Sequence, residues 1–430
     1  MISIMNADVI VVGAGFSGLV AAATASEEGK RVLLIAQGQG STAITSGCID
    51  ILGYLPCQKS YLTNIQEGLQ ELIVKSPEHP YAKVGLETIR KAVISFKKIT
   101  DNMGYGYSGD GVTNYLVPTP IGSPRPTALI PKTMVAGNIL EEGEVVVVGF
   151  DRLLDFFPKL IADRINLFRK RLKLSGSWRS ARVNLGLGKV VTPHRLAKWL
   201  DLEENFEKLM LELKPVASTG AVIGLPAVLG TAYSAEIFNR LQNELKCRIF
   251  EIPSGSPTVT GLRLYSLLCD YAKESGVEIR FGHSVSSIKE GLDNKYEVII
   301  NNFGRASRAL CNNVVIATGG FYGKGLTSSH EKTFESLMDL SLTFSERDYT
   351  LSEKLLTPEL HSKAYHGVLV NRDLNPNIEG DRVQKNITVV GRTLANYDPV
   401  LENSGLGVAL ATGYTAGNTI VEVEQNERSC

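Results

Sequence analysis

At 430 residues, with 43% hydrophobic and 21% charged residues, the chain is long enough for two domains and apolar enough for a large core. Its 45 lysines and arginines are balanced by 45 aspartates and glutamates, which removes any general electrostatic reason to bind nucleic acid. The cysteines (Cys48, Cys57, Cys247, Cys269, Cys311 and Cys430) contain no C-x-x-C pair, so no iron–sulfur or zinc centre of that spacing is expected, and reduced thiols in a cytosol are.

The N-terminus lacks the basic start and cleavage site of a signal peptide. Asp8 to Val12 is a short β-branched run, as expected for a buried parallel strand. Gly13-Ala14-Gly15-Phe16-Ser17-Gly18 follows at once. An alanine-rich helix is predicted over Leu19 to Glu28, ended by Gly29, and a second strand over Val32 to Ile35. In this context the three glycines make a tight turn, let backbone approach a pyrophosphate, and let helix pack on strand. The phosphate then meets free N–H groups and the positive end of the helix dipole.

An acid that would bind a ribose 2′-hydroxyl is expected about 20 residues along. Ala36-Gln37 stands there instead, and Gln37 can still offer an amide. Three readings stay open: FAD held by other contacts, FMN, which has no adenosine, or a lost ligand. The next segment, with Ser41, Thr42, Ser46 and Gly47, is rich in small hydroxyl residues able to approach a flavin closely and donate hydrogen bonds.

Gly104 to Pro131 reads as a long loop. From Arg164 to Arg182 the chain carries seven basic residues and no acid, a stretch that could meet an anionic membrane face, an acidic partner, a phosphorylated substrate or only solvent. Leu200 to Lys214 has the spacing of an amphipathic helix. Val216 to Tyr233 is the longest apolar reach, but three glycines and a proline break it, so no membrane span is expected.

Glu278 to Phe281 and Val285 to Ile288 read as a strand and the turn after it. Asn313 to Gly320 resembles the strand and A-T-G turn of two-dinucleotide-fold flavoproteins. That resemblance implies that Ala317, Thr318 and Gly319 pass beside the cofactor, and that backbone near Val285 meets an adenine. "ITVVGRTLANYDPVLENSGLGVALATGYTAGNTI" (387–420) is read as a strand, a polar loop and a helix from near Gly407. In such flavoproteins this helix aims its N-terminus at the isoalloxazine, stabilising negative charge on the reduced ring. Asp398 and the backbone of Ser404 to Gly407, Gly405 included, are the residues this implies.

Four stretches in order, "GQGSTAITSGCIDILGYLP" (38–56), "IGLPAVLG" (223–230), "FEIPSGSPTVTGLRL" (250–264) and "ANYDPVLENSGLGVALATGY" (395–414), resemble the B subunit of anaerobic glycerol-3-phosphate dehydrogenase. The resemblance spans nearly the whole chain. It implies a flavin subunit, usually assigned FMN, with FAD as the alternative favoured by the fold. It also implies a catalytic FAD subunit and an iron–sulfur membrane-anchor subunit as partners. The assembly would oxidise sn-glycerol 3-phosphate to dihydroxyacetone phosphate and reduce quinone. The chain itself would be cytoplasmic, held at the inner membrane face through its partners.

The expected fold is α/β, a discontinuous Rossmann-like FAD/NAD(P)-binding domain with an inserted α+β cap domain. Residues 1–60, 255–325 and 365–430 form the first, and 61–254 with 326–364 the second. Oxidising an alcohol through a flavin needs a base and a cation for the phosphate. His366, with His361 five residues earlier, and Arg392 or Arg382 are the candidates. No hydrolase or metalloenzyme pattern is present, and no metal is expected. The rival readings are a self-contained FAD oxidoreductase of the fumarate-reductase type and a structural protein that has lost its flavin.

Overall fold

The computed structural model describes residues 4–428 except 57, 294, 303, 330–332, 344–364, 379–381 and 385. His361 and the side chain of Arg382 lie outside the described residues.

Strand β1 (Val9–Val12) runs into helix α1 (Phe16–Glu27) and then β2 (Val32–Ala36). The helix begins three residues before the expected Leu19, because Gly15 already serves as its N-cap. Both strands are buried along their length, as their unbroken apolar sequence requires.

The segment that follows is not all loop where a loop was expected. Tyr115–Pro118 and Pro124–Thr127 pair antiparallel, and the Thr119 and Ser123 hydroxyls close the turn between them. Pro118 and Pro124 face each other beside the turn and Pro126 stands opposite Leu116, which a two-stranded ribbon tolerates because neither strand needs a second ladder. Farther on come β3 (Val145–Phe150), α2 (Pro158–Arg171), β4 (Trp178–Val183), α3 (Glu203–Ala217), β5 (Val222–Pro226), α4 (Ser234–Leu245) and β6 (Ile249–Ile252). Their strands form one parallel sheet in the order β6-β5-β3-β4, with its own apolar core on both faces. Helix α3 starts later than the expected Leu200, because Asp201 instead accepts hydrogen bonds from the Thr231 backbone and hydroxyl.

Helix α5 (Val259–Glu274) leads back to β7 (Glu278–Phe281), and the sheet of β1 and β2 is completed by β8 (Asn313–Ile316) and β9 (Ile387–Val389). The order is β7-β2-β1-β8-β9, all parallel. Ser284–Glu290, expected to include a turn, is a strand of an antiparallel meander with Tyr296–Asn302 and Arg305–Cys311. Its polar, half-exposed sequence suits a sheet with one solvated face. The chain closes with α6 (Gly405–Arg428), packed along α1.

Candidate functional site

The carboxyl ends of β1, β2 and β8 open onto a cavity of about 1170 Å³, where an open parallel sheet is expected to bind a ligand. At its floor Gly13 adopts φ +114°, and a Cβ there would fall 2.3 Å from the Ala317 carbonyl oxygen. A Cβ on Gly18 would fall 2.0 Å from the Gly13 oxygen, so Gly18 supports close helix packing and does not line the cavity. Gly15 differs from both, since among the described residues no heavy atom beyond its chain neighbours and its own helix backbone lies within 4 Å of where its Cβ would be. Ala14, Phe16 and Ser17 complete this part of the lining. The first intrahelical bond runs from Leu19 N–H to the Gly15 carbonyl, so the preceding N–H groups of α1 remain for an anion.

From this floor the cavity reaches in two directions. One arm passes Ala36 and Gln37 to Val285 and its neighbours Ser284 and Ser286. His283 also lines this arm; its N–H donates to the Ala36 carbonyl at 3.3 Å, and its Nε2 lies 2.9 Å from Asn302 Nδ2. The other arm passes Ala317, Thr318 and Gly319 on one wall and Ser41 and Ser46 on another, and ends against Arg392, Tyr397 and Gly405. Burying the strand ends between two such arms leaves room for a two-lobed ligand.

Several expected residues face elsewhere. Thr42 is buried in the turn that its carbonyl caps, and Gly47 packs against Thr260 while its carbonyl accepts from the Tyr107 hydroxyl at 2.6 Å. Asp398 is turned inward: Oδ1 accepts the N–H groups of Val400 and Leu401 at 2.9 and 3.0 Å, which fixes the loop before α6. Gly407 N–H donates to the Asp50 carbonyl at 2.9 Å, and a Cβ there would strike the Tyr81 hydroxyl. It is Gly405, two residues before the expected start, that begins the helix and lines the cavity. His366 is buried outside the lining; only its carbonyl meets the site, accepting from Arg392 Nη1 at 3.4 Å. Arg392 does line the cavity, its guanidinium 5.5 Å above the Tyr397 ring.

The structure adds three residues at the far arm that sequence reasoning did not select. Asp50, 4% exposed, pairs through Oδ2 with Arg125 Nη2, and Tyr397 is fully buried. The Asp50 charge holds the Arg125 guanidinium above its usual range. Burial raises the Tyr397 phenol, and pushes the neighbouring Cys48 thiol up to about 12, with Asp50 adding to the effect. Among the described residues Asp50 Oδ1, Arg125 Nε, the Tyr397 hydroxyl and Thr318 Oγ1 are buried without a hydrogen-bond partner, and all four residues line this one cavity. Buried polar atoms are rarely left so, and four of them on residues that line one cavity suit a site built for a polar group. Together with the open Gly15 and the two arms, the residues fit a flavin dinucleotide.

A family model described as "FAD binding domain" matches residues 8–408. A protein of Halobacterium salinarum named as the probable B subunit of an anaerobic glycerol-3-phosphate dehydrogenase is 28% identical over 98% of this chain and 100% of its own. The B subunit of the anaerobic glycerol-3-phosphate dehydrogenase of Vibrio cholerae is 28% identical over 97% of each chain. Among solved structures, a 3-ketosteroid delta1-dehydrogenase from Sterolibacterium denitrificans covers 97% of this chain and 100% of its own at 12% identity, with a TM-score of 0.45. The family match supports FAD and gives no support to FMN as the first choice of cofactor.

Proposed function

Because the chain belongs to the FAD binding domain family, we propose that it is the FAD-carrying B subunit of an anaerobic, quinone-linked sn-glycerol-3-phosphate dehydrogenase. The reading combines the family match with the near full-length likeness to proteins that carry that name. In it, residues 1–60, 255–325 and 365–430 form the flavin-binding body, and 61–254 with 326–364 form the cap. A catalytic FAD subunit and an iron–sulfur membrane anchor are its partners, and the assembly turns glycerol 3-phosphate into dihydroxyacetone phosphate. No described helix is long and apolar enough to cross a membrane, and in this reading the membrane anchor is a partner.

The observation that carries the reading is the two-armed cavity with its unpartnered polar atoms. FAD supplies two-electron redox chemistry, and the chain supplies its binding and electrostatics. The N–H groups of Phe16 and Ser17 and the dipole of α1 favour the pyrophosphate. Gln37 and the Val285 backbone take the adenosine in place of the missing acid. At the other arm the N-terminal end of α6, at Gly405, favours negative charge on a bound ring. Held by these residues, FAD would supply the electron-relay chemistry toward quinone.

A second reading, a self-contained oxidoreductase, is favoured by Arg125 and Arg392 lining the same cavity beside Asp50. In that case Asp50 Oδ1 is the acceptor for a substrate proton.

The test is to purify the chain, record its visible spectrum, release the cofactor and identify it by chromatography. FAD is expected. FMN would overturn the adenosine assignment, and a colourless protein that neither flavin reconstitutes would leave a structural role only. Glycerol 3-phosphate should bleach the FAD of the assembled complex but not that of this chain alone; bleaching of the isolated chain would move the reading to the self-contained enzyme.

A further inference from the structure

The basic stretch on α2 takes no part in the cavity, and its placement gives it a different use. Leu160, Arg164, Leu167 and Arg171 are all exposed, and their alternating four- and three-residue spacing sets them in one stripe along the helix, with Phe157, the exposed N-cap residue, just before its first turn. Phe157 is 55% and Leu167 63% exposed. The opposite side of α2, with Ile161, Ala162 and Ile165, is packed into the core under β3 and β4. A second element extends the stripe. The Thr119–Ser123 turn lies against the helix, where a Cβ on Gly122 would meet Ile161 Cα and Arg164 Cβ at 2.9 and 3.0 Å, and Ile121 beside it is exposed.

Isolated exposed apolar residues are ordinary, but several on one helix face, extended by a neighbouring turn, mark a contact surface. Lys170 and Lys173 add charge at its end. Arg169 does not, being buried with its guanidinium on the carbonyls of Ile139, Glu141 and Ser175. Asp163, on the flank, is held by Lys159 at 2.7 Å. The acids at the far end are likewise engaged, Glu142 by the Ser175 N–H and Glu144 by Ser177.

We propose that this face of α2, with Ile121, lies on an anionic lipid surface. The mixture of residues decides between occupants. In a helix–helix seam Arg164, in the middle of the stripe, and Arg171, at its end, would be covered, and each would need its own carboxylate opposite it. At a bilayer surface, phosphate groups are available at every point, the arginine stems lie along the apolar boundary, and Phe157, Leu160 and Leu167 enter it. This contact is independent of the flavin reading, since it shares no residue with the cavity.

Purified full-length chain is sedimented with vesicles of phosphatidylglycerol and phosphatidylcholine, and with phosphatidylcholine alone. Binding is expected only to the anionic vesicles, and it should fall as salt is raised. Arg164→Glu/Arg171→Glu should weaken it by about 30-fold or more, and Leu160→Gln/Leu167→Gln should weaken it even at low salt. These side chains are exposed, so thermal unfolding and flavin content should match those of the unsubstituted protein, which separates a failed contact from a failed fold. No binding to anionic vesicles at low salt, or equal binding by both variants, overturns the proposal. Retained complex assembly with lost vesicle binding supports it, whereas variants that sediment normally but fail to assemble would make this a protein interface.

Discussion

His79 donates its Nε2 proton to Glu402 Oε2 across 3.1 Å, with both side chains 1% exposed. The tautomer follows from Nδ1, which accepts the Tyr81 N–H at 3.0 Å. Glu402 also receives the Ser404 hydroxyl and the Asp398 N–H, while its carbonyl accepts from Gly53 and Tyr54. The Glu402 carboxylate therefore ties the start of α6 to His79 and Asp398, and its backbone carbonyl ties it to the loop that carries Asp50. Glu402→Ala leaves His79 and Ser404 buried without an acceptor and should cost about 3 kcal/mol in denaturant unfolding. Glu402→Gln, which keeps an acceptor oxygen, should recover much of that stability. Both should release flavin faster, since the cavity wall at Gly405 depends on this anchor. Flavin release at the wild-type rate in the Ala variant would refute the link.

The two lining glycines of the fingerprint should fail in different ways. Gly13→Ala places a Cβ 2.3 Å from the Ala317 oxygen at φ +114°, so the strand and turn must move apart. It should express poorly or unfold several degrees earlier. Gly15→Ala meets no described protein atom beyond its chain neighbours and its own helix backbone. It should melt near the unsubstituted apoprotein and yet lose flavin affinity by about tenfold, because the new methyl stands where the ligand's backbone approach is needed. Equal retention of flavin by Gly15→Ala would place the pyrophosphate elsewhere.

Gln37 separates the two cofactors. It lines the adenosine arm at the place of the missing acid. Gln37→Ala should weaken FAD by roughly five- to tenfold, the worth of about one hydrogen bond, and leave FMN unchanged. Titration of the apoprotein with each flavin reads the difference directly, and an equal loss for both would remove Gln37 from the adenosine.

The buried thiols set an alkaline limit. Burial raises both Cys48 and Cys311 to about 12 from an ordinary thiol value near 9. A group whose folded pKa is raised contributes stability that is fully present below its unfolded pKa and lost as pH climbs toward the folded one. Stability should therefore decline between about pH 9 and 12, and Cys48→Ala/Cys311→Ala should decline less steeply over that window. At pH 8 neither thiol should react with iodoacetamide in the native protein; rapid native labelling of either would contradict its burial.

The glycine turn, its flanking strands and the A-T-G wall were legible because each is written within a few adjacent residues whose spacing the backbone enforces. The far arm was not. Asp50 and Arg125 meet across 75 positions, and Arg125 lay in a segment read as loop because its prolines hid a two-stranded ribbon. In the right loops the facing was still unreadable. Thr42, Gly47, Asp398 and Gly407 stand next to lining residues but face the protein: Thr42 is buried, the Gly47 N–H goes to the Thr45 hydroxyl, and Asp398 and Gly407 bond neighbouring backbone groups. His366 failed for a related reason: proximity in sequence to the closing helix carried its carbonyl to Arg392 and left its ring outside the cavity.

The body sheet has a consequence for the order in which the chain is made. Strand β1 at Val9–Val12 waits for β8 at Asn313–Ile316, and β8 waits for β9 at Ile387–Val389. The sheet of β3 to β6, in contrast, is complete by Ile252 and has its own core. On a ribosome this later-coded unit should therefore mature before β1, already beside β2, has found its second neighbour β8. Nascent chains stalled well beyond Ile252 should resist protease within 145–252 while residues 1–60 remain cleavable. Protection of 1–60 in such chains would mean that β1 and β2 find shelter before the strand between them and the C-terminus exists.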